Sequence, residues 1–495
     1  MKTLYSLFYI PVRPGRQAAV SIFTFLLLVT SLVGCDDALQ EKPKTVAVEN
    51  FYNTAEEVET ATNAVYSPLR SSRAEQIAVL DAHTDWGYGR GSRAQYNDFA
   101  GFNSGNMNAA TSRWNAFYQA IRNANLVIQN APKGNAISEA DITKYVAEAR
   151  FLRALSYFDL VRNWGGVPLR TESNMTEIGV KRSTPQEVYA QILADLQDAE
   201  AHLPDEPKHI GRPTKLAAKT LLADVYLTLG RFAEARDKAK EVMQSNKFAL
   251  VPVTKKEDFQ LKLFGPDVIT TTEEIFYFKY ARQVGQGNFM LWILNHPNTK
   301  LFNFGGAYAH YSDANNPFYK AWDDRDIRKS LWDMVNFGLG PTTLVSSKYV
   351  EPAAVSQNDG GNDLPIYRYA EVLLIFAEAA SQAEGGPGAE AMEALNQVRR
   401  RAYGLNPGTP AAIDYKHTDY NAQTFLDLVL QERAYEFIFE GKRWLDLKRT
   451  GKAQEAIGKA KGKTIAEAHY LWPIPLDELT FNTALDPTRD QNPGY

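Results

Sequence analysis

The chain has 495 residues, with 54 lysines and arginines against 58 aspartates and glutamates, a formal charge of −4. There is no basic patch to attract nucleic acid, and the seven histidines are scattered, so no metal-ligand cluster stands out. A single cysteine excludes a disulfide within the chain, and 44% apolar residues over this length bury a core without one.

The N-terminus reads first. Lys2, Arg13 and Arg16 make a basic leader, Ala18 to Val33 is mostly apolar, and Gly34 precedes Cys35. This is the pattern of a secretory signal ending at a small-residue cleavage site. The apolar run of 16 residues falls short of the roughly 20 that span a bilayer. It resembles a bacterial lipoprotein signal, in which cleavage before Cys35 leaves that thiol to carry lipid. The competing reading is a plain membrane anchor with an incidental cysteine. Residues 36–50 (DDALQEKPKTVAVEN) are polar and aperiodic, as a flexible tether would be. The expected organisation is a signal peptide over 1–34, a lipidated cysteine and tether over 35–50, and a body over 51–495. Asp36 and Asp37 resemble the surface-export signals of Bacteroidetes lipoproteins. As plain solvated linker charges they would have no such role.

Helices dominate the body. Thr54-Ala-Glu-Glu57 reads as an N-cap followed by a carboxylate three residues on, predicting a helix to about Leu69. Ser112 to Ala131 is the next helical stretch. Ser138 opens a long helix ending near Asn163, with Phe151, Ala154, Leu155, Phe158 and Val161 on one face. Thr184-Pro185-x-Glu187 caps another, running to about His202. Over 214–245, Leu222, Ala223 and Tyr226, the turn residue Gly230, and Ala235 and Ala239 resemble a tetratricopeptide hairpin. Lys219 and Ala239 depart from that pattern, standing where Trp and Phe are usual. A looser hairpin spans 366–403, turning at Gly385-Gly386-Pro387-Gly388, and a last long helix is expected from Thr424 to about Arg449, bent at Gly441. The predicted fold class is mainly α: an α-solenoid core of stacked helical hairpins.

Between 250 and 365 the helical period fails. Glu274 to Tyr280 reads as a short strand, and the rest is rich in Gly, Asn, Pro and aromatics. Long loops of this kind are usually functional. The ligand face is therefore expected from long irregular loops and a few short strands, over about 80–110 and 250–365.

Two clusters carry candidate chemistry. Asp81, His83, Asp85, Trp86, Tyr88 and Arg90 crowd into ten residues read as a loop. In one reading they form a sugar platform: Trp86 or Tyr88 accepts the apolar face of a pyranose, while Asp81, Asp85 and Arg90 bind its hydroxyl rim. In the other, Trp86 pins the loop to the core and the aspartates cap backbone. The second cluster holds Phe289, Trp292, Phe302, Phe304, Tyr308, His310, Tyr311, Tyr319 and Trp322. Trp292, Tyr308 and Tyr311 are selected because Gly and Asn neighbours suggest surface loops. The alternative is an aromatic satellite core beneath a long loop.

Several blocks, in order, resemble the SusD/RagB family of outer-membrane nutrient-binding lipoproteins. They are Leu39 to Leu69, Glu148 to Leu169 (EARFLRALSYFDLVRNWGGVPL), Leu364 to Ala379 (LPIYRYAEVLLIFAEA), Glu432 to Arg449 (ERAYEFIFEGKRWLDLKR), and Trp472 to Leu479 with Asp490 to Tyr495. The resemblance implies one helical body, with glycan contacts in the early loop and a second wall from the middle region. It implies a partner, a SusC-like TonB-dependent β-barrel transporter, over which the protein sits as a hinged lid. Oligosaccharides, or peptides in some branches, are the implied cargo. Trp322 precedes Asp323-Asp324-Arg325-Asp326, which resembles the family's structural Asp-Arg stretch, so Trp322 reads as packing. Glu432, Arg433, Glu436, Glu440 and Arg443 match family positions and read as a structural ion-pair network.

No cofactor is implied. Gly87-x-Gly89-x-Gly91 neither follows a strand nor opens a helix, so it is not a nucleotide fingerprint. There is no His-Glu-x-x-His and no Gly-x-Ser-x-Gly. Asn358 to Asp363 has the oxygen ligands for Ca²⁺ but not EF-hand spacing, and a polar turn accounts for it. A glycoside hydrolase would need two carboxyl groups across a cleft. Nothing in the sequence specifies that pair, so the expected role is non-catalytic binding. A scaffold that binds only protein would leave the aromatic loops unexplained.

Overall fold

Thr54 starts the first helix as its pattern predicts. Its hydroxyl accepts from the Glu57 backbone N–H (3.3 Å), and the Glu57 carboxylate accepts from the Thr54 N–H (2.9 Å), a reciprocal capping box. The computed structural model describes residues 51–283 and 285–495. The signal, Cys35 and the tether lie outside the described residues. Helix α1 does not stop near Leu69 but spans Ala55–Ala82, passing through Pro68. A proline inside a helix leaves the carbonyl four residues earlier without its partner. Here Asn123 donates its side-chain amide to the Ala64 carbonyl (2.9 Å). The second half of α1, from Ala74 to Ala82, is buried nearly all round, so it carries no amphipathic period to mark it as helix.

α2 (Met107–Asn130), α3 (Glu139–Trp164) and α4 (Pro185–His202) follow. Ser138 caps α3, and Thr184 caps α4 with a second capping box. α5 (Lys215–Thr228) and α6 (Phe232–Gln244) form the predicted hairpin. Gly230 turns between them at φ +70°, a left-handed conformation that glycine adopts without steric penalty. Ala235 and Ala239 are fully buried, so the absence of larger side chains lets the two helices close together.

The middle region folds into short elements: β1 (Glu274–Phe278), α7 (Met290–Leu294), β2 (Tyr311–Asp313), α8 (Pro317–Lys320), β3 (Trp332–Met334), β4 (Thr343–Ser346) and β5 (Leu364–Arg368). β1 pairs antiparallel with β5, and β4 lies between β2 and β3, antiparallel to both. β5 runs into the start of the hairpin expected over 366–403. α9 (Tyr369–Glu384) begins immediately after it and pairs with α10 (Ala389–Ala402). Neighbours α1 to α6 pack in sequence order, and α9 continues the stack against α6 and α10.

The expected single helix from 424 to 449 is two: α11 (Ala422–Glu436) and α12 (Arg443–Arg449), with α13 (Ala453–Lys461) after them. The break falls at 437–442, where Phe439 and Gly441 have positive φ. A Cβ on Gly441 would lie 3.3 Å from Leu80 of α1. This close approach carries Glu440 inward. Residues 52–495 form one compact unit.

The break also completes a buried ionic network. The Glu436 carboxylate meets Arg328 (2.9 Å), Arg368 (2.5 Å) and Arg401. Arg368 also reaches Glu440 (2.8 Å) and Glu273 (3.2 Å), and Lys348 reaches Glu440 (2.5 Å). All are buried. Burial opposes ionisation of Glu436, but the Arg401, Arg368 and Arg328 guanidiniums outweigh it and hold the carboxyl well below the usual range. Glu436→Gln should therefore destabilise the fold by about 3–5 kcal/mol, because it strands buried guanidiniums without their anion. Denaturant midpoints of the two proteins check this; an unchanged midpoint contradicts it.

Candidate functional site

The first predicted cluster divides in two. Asp81 is not on a loop; it sits in the last turn of α1, 1% exposed. Burial pushes its carboxyl well above the usual range, against the opposing pull of Lys348. Trp86 is also 1% exposed. Its ring stands edge-on to Phe439 (5.1 Å) and Trp332 (5.7 Å). Asp85 is 4% exposed and gripped by both nitrogens of one Arg443 fork (2.6 and 3.1 Å). These three are corrections to the sugar-platform reading: a ring or carboxylate held in the core has no face left for a ligand stacked on the surface. The cause is local. α1 runs on to Ala82, and the Thr84 hydroxyl then bonds the Asp81 carbonyl (2.7 Å) and the Gly87 N–H (2.9 Å). That turn tucks residues 83–87 under the surface. It is tight enough that a Cβ on Gly87 would fall 2.1 Å from the Asp81 carbonyl oxygen.

The chain emerges at Tyr88. Tyr88 pairs through both backbone groups with Tyr311 (2.8 and 3.0 Å). Their rings stack 5.2 Å apart at 18°. The Lys461 ammonium, at the end of α13, lies 4.0 Å from the Tyr88 ring centre and donates to the Gly87 carbonyl. Burial pushes that ammonium down to about 7, partly offset by Asp85. Two residues on, the Arg90 guanidinium covers the Phe337 ring (5.0 Å) and reaches the Ala307 and Tyr308 carbonyls at 3.4 Å.

Trp292 joins from α7. The Tyr308 N–H donates to the Trp292 carbonyl (2.8 Å), and the two rings meet edge-on at 5.6 Å. Phe304 lies parallel to the indole at 6.2 Å. Gly306 has φ +83°, and a Cβ there would sit 2.8 Å from the indole, so only glycine lets this loop lie on Trp292. Arg93 holds the Tyr308 ring from its other side (3.7 Å) and is itself bound to Glu75. Tyr88, Arg90, Trp292, Tyr308 and Tyr311 are thus brought to one strip, all half-buried.

Other members of the second cluster go elsewhere. Phe302, His310 and Trp322 are buried, and burial pushes His310 down to about 3. Trp322 stacks flat on Tyr435 (4.1 Å, 9°), which is packing, as its place before the Asp-Arg run implies. The strip also recruits Phe337, which stacks on His296 at 4.5 Å; neither was among the selected residues. Phe337 stands between Asn336 and Gly338, the same signal that singled out Trp292 and Tyr308. Within Asn358 to Asp363, the Asn362 amide and the Asp363 carboxylate are engaged by the protein itself. Asn362 bonds the Phe264 and Val350 carbonyls, and Asp363 pairs with Lys279. Among the described residues no group of His, Cys, Asp and Glu is arranged to hold a metal.

A stacked-hairpin scaffold presenting a preformed, arginine-edged aromatic surface defines a binding protein. The comparisons agree with that class. Residues 289–495 match the SusD family profile, and residues 39–227 match a SusD-like profile described as starch-binding associating with outer membrane. SusD-like protein P2 of Formosa agariphila is 29% identical over 95% of this chain and 99% of its own. A SusD superfamily structure from Parabacteroides distasonis superposes with a TM-score of 0.74 at 26% identity, over 89% of this chain and 99% of that one. A SusD homologue from Bacteroides thetaiotaomicron shares the fold with a TM-score of 0.76 at 22% identity, over 90% and 98%. The chain belongs to the SusD/RagB family.

Trp86→Ala should cost about 3–5 kcal/mol of stability, the usual loss for an emptied aromatic core site. A thermal melt close to that of the unaltered protein would return Trp86 to the surface.

Proposed function

We propose that this protein captures oligosaccharide or polysaccharide at the cell surface, leaves it chemically unchanged, and passes it to a SusC-like TonB-dependent transporter. The observation that carries the reading is the strip of half-exposed rings at Tyr88, Tyr311, Tyr308 and Trp292, edged by Arg90. A pyranose has one apolar C–H face and a rim of hydroxyls. Rings accept the first and a guanidinium donates to the second. The starch-binding description of the matched profile points to the same chemistry. Against hydrolysis, Asp81 and Asp85 are buried, and Asp85 is committed to Arg443. The early loop therefore supplies no carboxylate pair across a cleft.

In this reading residues 1–34 are removed as a signal, Cys35 carries lipid, and 36–50 tether the body outside the outer membrane. Among the described residues no helix is long and apolar enough to cross a membrane. Cys35→Ala should release the protein from the membrane fraction and abolish fatty-acid labelling. A variant still labelled refutes the anchor.

Calorimetry against a panel of soluble glycans tests the ligand class. Trp292→Ala should weaken the binding found by about 1–2 kcal/mol, the scale of one lost aromatic contact, with far less thermal destabilisation than Trp86→Ala. No heat of binding with any glycan sinks the capture role.

A further inference from the structure

The loop 83–90 has two sides. Tyr88 belongs to the ring strip, whereas Asp85 and Arg443 line a separate cavity of about 360 Å³. That is within the range of small-ligand pockets, roughly 300–1,000 Å³. Its aromatic wall is Tyr435, backed flat by Trp322 and met edge-on by Phe318 (5.2 Å). The Tyr435 hydroxyl accepts from the Gln431 amide (2.8 Å), which fixes the ring's edge. Leu430 and Leu447 extend the apolar floor, and Ala456 and Ala460 of α13 keep the opposite side open.

The charges lining the cavity cancel. Asp427 and Glu455 face Lys452 and Lys459 at the rim, with Lys452 paired to Asp427 at 3.0 Å, and deeper in the wall the buried Asp85 is neutralised by Arg443. Such a rim favours neither an anion nor a cation. It offers donors and acceptors side by side around an apolar floor with a planar wall, which suits a neutral polyhydroxyl ring with one apolar face.

The cavity also adjoins the strip. Asn316 donates its amide to the Asp85 carbonyl (3.0 Å) and reaches the Tyr88 hydroxyl (3.4 Å). Asp85 and Tyr88 are three residues apart, so at most about 10 Å of extended chain separates the two surfaces. We propose that this cavity is a second saccharide subsite, taking neutral sugar residues of the same glycan chain that lies on the ring strip. The proposal rests on the glycan reading and deepens it: the protein prefers neutral chains long enough to occupy both places.

Ala460→Trp tests it. The residue is half-exposed on α13 and lines the cavity, whose lining includes none of Tyr88, Arg90, Trp292, Tyr308 and Tyr311. Neutral hexasaccharides and disaccharides of the malto-, cello-, laminari- and xylo- series are titrated into the unaltered protein, Ala460→Trp and Arg90→Ala. The expected result is a five- to twentyfold loss of hexasaccharide affinity in Ala460→Trp, with the hexasaccharide-to-disaccharide preference collapsing toward one. Arg90→Ala should weaken both lengths. Ala456→Trp, from the same wall, replaces Ala460→Trp if the latter does not fold. Hexasaccharide binding that ignores the blocked cavity overturns the subsite alone. No binding by the unaltered protein overturns the glycan reading and the subsite together.

Discussion

Glu436 is held by three arginines drawn from distant parts of the chain: Arg328 from the turn before β3, Arg368 from the end of β5, and Arg401 from α10. A carboxylate removed from water is costly unless it is paired and hydrogen-bonded, and here each partner belongs to a different element. The arrangement therefore works only when the loop region, the β1–β5 ribbon and the helical stack are all in place. Glu440 and Lys348 extend it to the segment just after β4, and Glu273 ties it to the residue just before β1. The middle region has little regular structure of its own, and this network, with the aromatic core around Trp86, Trp332 and Phe439, fixes it to the helices.

That fixation shapes the binding surface. The strip rests on three short segments, 88–90, 308–311 and α7, the first two joined by an antiparallel bridge. Three of the four rings are held by a neighbour outside the strip, Tyr88 by Lys461, Tyr308 by Arg93 and Trp292 by Phe304, and Tyr311 stacks on Tyr88. Rings held before the ligand arrives lose little conformational freedom on binding. Contacts to a glycan exchange water hydrogen bonds for protein ones, so each gains little net free energy. A preformed strip, and a second place for the same chain, compensate by adding contacts rather than by strengthening any one of them.

Much of the helical framework was legible because helix starts are local chemistry. Thr54, Ser138 and Thr184 each cap within three residues of themselves. The Gly230 turn and the small Ala235 and Ala239 likewise announced a close hairpin. The end of α1 was not legible, since the stretch from Ala74 to Ala82 is buried nearly all round and carries no amphipathic period, and the carbonyl freed by Pro68 is satisfied by Asn123 from α2. The split between α11 and α12 was only half visible. Gly441 marked a bend, but the reason for it, contact with Leu80, lies far away in sequence.

The amino-acid order alone determined the class of fold, the capped helix starts at Thr54, Ser138 and Thr184, and the stock of aromatic side chains from which a ligand face is built. Those properties depend on spacing, capping and composition, which act over a few residues. Tertiary structure decided which rings are buried and which remain available. Trp86 and Tyr88 are two residues apart with the same local neighbours, yet one is enclosed by Trp332 and Phe439 and the other is left beside Tyr311. Burial of a side chain is set by what packs over it, and for both rings that cover comes from segments more than two hundred residues away.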